Sequence, residues 1–165
     1  MAIGLGKRVY DSLNKQITDE FALEYLYIAM SSVFNDMGLE GCASWMMAQS
    51  KKKNRDAFEI YQYLQQRNAK IRLMPIAAPK QEWRAPLHIF EEMIRNAQKG
   101  TTTISAIYEM AISEKDYPSQ HFILELVNKQ TRDEAIISAV LDRLRKMQTS
   151  DLGVLMFDAE LGKKV

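Results

Sequence analysis

The strongest constraint in this chain is a rhythm broken once. Apolar residues recur at helical spacing almost from end to end, and a single stretch, NAKIRLMPIAAPKQEWRAP at 68–86, carries three prolines and no sustained period. The spacing predicts helices over about 7–35, 42–67, 86–113 and 119–147, with a brief tail helix over 151–162. Two glycines in DMGLEG (36–41) and the turn EKDYPS (114–119) make the first and third connections short. Short connections produce antiparallel neighbours, whereas a connection of nearly twenty residues can run the length of a bundle. The expected fold is therefore all-α: one domain over 1–165, a four-helix bundle with one long crossover between its second and third helices.

Charge excludes more than it selects. With 22 basic and 21 acidic residues, the net charge of +1 provides no general pull toward nucleic acid, membranes or acidic substrates. A basic arm for DNA is not expected either, since the start holds only Lys7 and Arg8. The longest greasy stretch, FALEYLYIAM at 21–30, is interrupted by Glu24 and is too short to cross a bilayer. No signal-peptide pattern opens the chain, and Cys42 is the only cysteine, so a cytoplasmic protein without an internal disulfide is expected. The ten methionines fall mostly among helical apolar positions and read as core.

The apolar stripes carry polar residues at mid-helix. In the second helix the stripe runs Cys42, Met46, Gln49, Lys53, Asp56, Ile60, Tyr63. In the fourth it runs Phe122, Leu126, Lys129, Asp133, Ile136, Val140, with Gln130 beside it. Glu20 shares a face of the first helix with Leu13, Ile17 and Tyr27. The third offers Phe90, Met93, Ala97, Gly100, Ile104 and Ile107, with no charge at mid-helix. Three helices thus place polar groups at one depth, where a lone charge would be prohibitive and must be paired or bound. Lys51, Lys52 and Arg55 read as solvated surface charge. Between Phe21 and Met30 the first helix is apolar nearly all round, as expected of a helix that also meets a second subunit.

The chain resembles a bacterial-type ferritin subunit. The resemblance is carried by LNKQITDEFALEYLYIAM, GLEGCASWM, IAAPKQEW, PLHIF and KDYPSQHFILELVNKQ, in that order and with matching lengths between them. It implies a ferritin-like bundle, a hollow cage of 24 subunits and stored ferric mineral. It also implies an oxidation site at mid-bundle, whose positions here are Glu20, Tyr27, Lys53, Asp56, Ala97, Lys129 and Gln130, with Asp133 and Glu134 nearby. The family places a Glu-x-x-His pair where this chain has Lys53 and Asp56, and glutamates where it has Ala97 and Lys129.

Protonated lysine has three donors and no acceptor, so Lys53 cannot ligate iron. The expectation is that Lys53 and Lys129 fill the metal space, in a salt-bridge network with Glu20, Asp56 and Asp133. No catalytic residue is then assigned, and Glu20, Asp56 and Gln130 remain as candidate metal ligands. Haem is not expected, because Asn54 stands where the haem-ligating methionine of relatives would be. His88 and His121 read as polar residues near the starts of the third and fourth helices. The expected function is an iron-storage cage subunit that is not itself an enzyme, with co-assembly beside an active subunit a further expectation. Two alternatives stand: a structural or regulatory cage for an anionic partner, because Lys52 and Arg55 would make its lining basic, and a weak single-metal oxidase at Glu20, Asp56 and Gln130.

Overall fold

In the computed structural model, which describes residues 4–165, five helices follow one another: α1 (Lys7–Asp36), α2 (Glu40–Gln66), α3 (Pro86–Ser113), α4 (Tyr117–Met147) and α5 (Asp151–Gly162). Helix α2 begins two residues earlier than the spacing predicts. Helix α4 does as well, because Asp116 supplies its cap: its carboxylate accepts from the Ser119 backbone N–H (3.2 Å) and hydroxyl (2.7 Å). Pro118 in the first turn forfeits no hydrogen bond there.

The first three helices end alike. Gly38, Asn68 and Lys115 take left-handed φ values of 74°, 53° and 54°. In each case the next amide bonds back five residues: Leu39 to Phe34 (2.9 Å), Ala69 to Leu64 (2.9 Å) and Asp116 to Ala111 (3.0 Å). This motif satisfies the carbonyls that a helix end would otherwise leave unpaired.

The long connection is extended and pinned to α1. Tyr10 donates its hydroxyl to the Lys70 carbonyl (2.7 Å), Asn14 Oδ1 accepts from the Arg72 amide (2.8 Å), and Thr18 Oγ1 accepts from the Met74 amide (3.2 Å). Four helical residues rise about 6 Å and two extended residues about 6.6 Å, so three successive turns of α1 meet alternate residues of the crossover from 70 to 74. Buried Trp83 anchors its far end, donating from Nε1 to Glu92 at 2.6 Å.

Helix α1 packs chiefly on α2 and α3 on α4, and α5 closes one end against α2. The core is divided in two. One cluster holds Met30, Phe34, Trp45, Met46, Phe90, Leu144 and Phe157, and the other Val9, Leu13, Ile17, Ile60, Leu64, Ile107 and Ile123. Between them lie buried Glu20, Lys53, Asp56, Gln130 and Asp133.

The facing of α4 departs from its expected stripe. Ile123, Leu126, Gln130, Asp133, Ile137 and Val140 are buried, whereas Ile136 is exposed and Phe122 and Lys129 only partly covered. The two stripes have the same period and differ by a rotation of less than one residue. Adjacent apolar pairs at 122–123 and 136–137 make them equivalent on paper, and packing against α3 selects the second.

Candidate functional site

The belt is built from α1, α2 and α4, with α3 contributing space rather than charge. Lys53 is at its centre. Its ammonium stands 3.2 Å from Glu20 Oε2 and 3.4 Å from Asp56 Oδ2. Lys129 reaches in from the edge, 3.2 Å from Asp56 Oδ1, and also pairs with Glu59. Asp133 takes Lys52 as its partner. Gln16, one turn before Glu20, donates to Glu20 Oε1 at 2.9 Å.

Three of these partners escaped the sequence reading. Lys52 is not free surface charge: its stem crosses the α2–α4 seam to Asp133, as long amphipathic side chains can. Glu59 holds the outer side of Lys129, and Gln16 was hidden by its neutral side chain. Only Gln16 left a legible trace, the i,i+4 spacing to Glu20 on one helix. With Lys52 included, the inner belt sets three carboxylates (Glu20, Asp56, Asp133) against three ammonium groups (Lys52, Lys53, Lys129), while Glu59 is 40% exposed.

This balance determines protonation. Burial works against the charged form of Lys53, but the field of Glu20, reinforced by Tyr27, Asp56 and Asp133, outweighs it and raises its pKa. Burial also opposes the charge on Lys129, and its bonds to Glu59 and Asp56 prevail in the same direction. Burial pushes the Glu20 carboxyl above its ordinary range, with Lys53 pulling the other way. The Tyr27 phenol, buried alongside, is pushed up to about 12. We therefore treat Lys53 as a fixed cation.

As a donor set, the belt has its carboxylates already engaged by ammonium groups. Among the described residues, no three His, Cys, Asp or Glu side chains stand together as a metal-binding group. Glu20 and Asp56 both face the Lys53 ammonium, and Gln130 lies one side over, beside Gly100 of α3, where an added Cβ would sit 3.3 Å from Gln130 Oε1. Ala97 is buried on the α3 wall, and Glu134 spends its carboxylate on the Thr101 hydroxyl (2.9 Å). Asn54 donates to Glu24 at 3.2 Å. Both histidines are remote from the belt by position. His88 lies in the first turn of α3, and His121 is exposed and paired with Glu125 (3.6 Å).

Comparison with known proteins agrees with this architecture. The chain is similar to the bacterial non-heme ferritins of Bacteroides fragilis (26% identity, covering 97% of this chain and 99% of that one) and Staphylococcus saprophyticus (27%, covering 97% and 96%). In structure it is similar to the open-pore ferritin of the archaeon Archaeoglobus fulgidus, with a TM-score of 0.93 at 29% identity over 96% of this chain and 98% of that one. Residues 10–147 match the ferritin-like domain family, a span from the first turn of α1 to the last of α4, so the chain belongs to the ferritin family.

Proposed function

We propose that this protein is an iron-storage cage subunit that lacks fast ferrous oxidation of its own. Family membership and the full-length likeness to bacterial non-heme ferritins support storage. The observation that carries the second half is the Lys53 ammonium held between Glu20 and Asp56. The donor set does not fit a pair of ferrous ions: an ammonium stands where a bridging carboxylate is needed, Asp56 and Lys129 replace imidazole and carboxylate donors, and Ala97 offers none. A single ion at Glu20, Asp56 and Gln130 would have to displace Lys53 from both carboxylates. The subunit then contributes shell and storage volume, in a cage of 24, alone or beside an active subunit, in the cytoplasm. Neither haem nor nucleic acid belongs to this reading.

The test is ferrous iron added in air, with oxidation followed optically against a protein-free control. We expect slow oxidation at the control rate, with the mineral retained in soluble protein. A rapid burst of a few irons per subunit would overturn the proposal. The combined variant Lys53→Glu/Asp56→His/Ala97→Glu/Lys129→Glu installs the donors of the family pattern and should gain that burst. Of the two basic residues expected to line the cage, Lys52 is taken up by Asp133, whereas Arg55 stays exposed on α2 and favours a second reading, a cage that holds an anionic partner. Precipitation of iron outside an intact cage would select it.

A further inference from the structure

Beside the ion pairs, on the side toward α3, lies a space of about 20 Å³. Glu20, Tyr27, Gln49, Lys53, Gln130 and Asp133 line it, and Ala97 and Gly100 leave it unfilled. Four polar groups there have bonding capacity left. Glu20 Oε2 is fully buried, and the polar group that approaches it is the Lys53 ammonium at 3.2 Å, which leaves it lone-pair capacity. The Tyr27 hydroxyl and the Gln49 and Gln130 amides make no side-chain hydrogen bond among the described residues. One water molecule needs roughly 10–15 Å³ with two to four polar partners.

We infer that this space is a binding site for one water molecule, which donates to Glu20 Oε2 and joins the carboxylate to the Tyr27, Gln130 and Lys53 side of the belt. The chemistry favours a neutral ligand that both donates and accepts. A cation would meet the Lys53 ammonium, and an anion would meet Glu20 and Asp133. A groove of about 480 Å³ between α1, the crossover and α3 shares Gln16, Leu23, Asn96 and Gly100 with the site, so exchange runs from that side. On the α2–α4 side, Lys52 and Lys129 cover the belt.

A high-resolution crystal structure of the assembled, metal-free protein, repeated after a ferrous soak, tests this. We expect one density peak about 2.5–3.0 Å from Glu20 Oε2, unchanged by iron. An empty cavity overturns the water site alone and leaves the proposed function intact. A metal ion in that space, with Lys53 displaced, overturns both. Ala97→Val adds a thermal test with a sign: expelling a bound water strands Glu20 and lowers Tm by a few degrees, whereas a rise in Tm means that the space was a dry packing defect and defeats the inference.

Discussion

At the scale of single residues, Lys53 decides the character of the belt. Removing it leaves Glu20 and Asp56 facing each other in the core, so Lys53→Ala should cost about 3–5 kcal/mol, read by denaturant unfolding. An unchanged midpoint would count against its burial. The paired replacement Glu20→Gln/Lys53→Met removes both charges while keeping volume, and it should be neutral or stabilising relative to wild type, because well-packed isosteres often match or exceed a buried ion pair. The raised Lys53 pKa fixes the sign with pH. The folded state holds this proton more tightly than the unfolded chain, so its contribution is complete below the ordinary lysine value of 10.5 and is lost as pH climbs through the higher folded value. Above pH 10.5, wild type should therefore lose Tm faster than the Glu20→Gln/Lys53→Met variant.

Elements are held by contacts that serve two partners at once. Asp158 of α5 accepts from the Gly41 (3.2 Å) and Cys42 (2.7 Å) amides at the start of α2, where free N–H groups and the helix dipole favour an anion. The approach is so close that a Cβ on Gly41 would lie 2.0 Å from the Asp158 carbonyl oxygen. Gly41→Ala should thus detach α5 while sparing the four-helix bundle, seen as faster hydrogen exchange or proteolysis across 151–162 with unchanged bundle helicity. The number, type and order of helices were readable because a period of 3.6 sustained over nearly thirty residues has no competing explanation. The rotation of α4 was not, since apolar pairs at 122–123 and 136–137 satisfy two faces equally. The crossover's path was hidden as well, because it depends on backbone amides meeting Asn14 and Thr18 rather than on any pattern within 68–86.

For the whole molecule, association is the remaining question. Tyr25 and Ile28 on α1, with Leu73, Met74 and Ile76 on the crossover, are exposed on the single chain. Apolar groups this large, grouped on neighbouring elements, mark contact surfaces. Our reading of the protein as a cage predicts that Ile28→Lys, combined with Met74→Lys, shifts the assembled species to smaller particles in light scattering while circular dichroism is unchanged. A particle of undiminished size would place the contacts elsewhere.

The sequence by itself determined the bundle, the single long crossover and the depth at which polar residues interrupt the core, because each follows from spacing along one chain. The residue types at Lys53, Asp56, Ala97 and Lys129 also raised the expectation, on which our proposal rests, of a donor chemistry unlike the family pattern. Only tertiary structure decided who pairs with whom: that Lys52 and not Lys53 takes Asp133, that Glu59 shares Lys129, and that the inner belt closes with three charges of each sign. The reason is reach. A lysine ammonium swings on a flexible four-carbon stem, so its partner is chosen by the neighbouring helix rather than by its own position on a stripe.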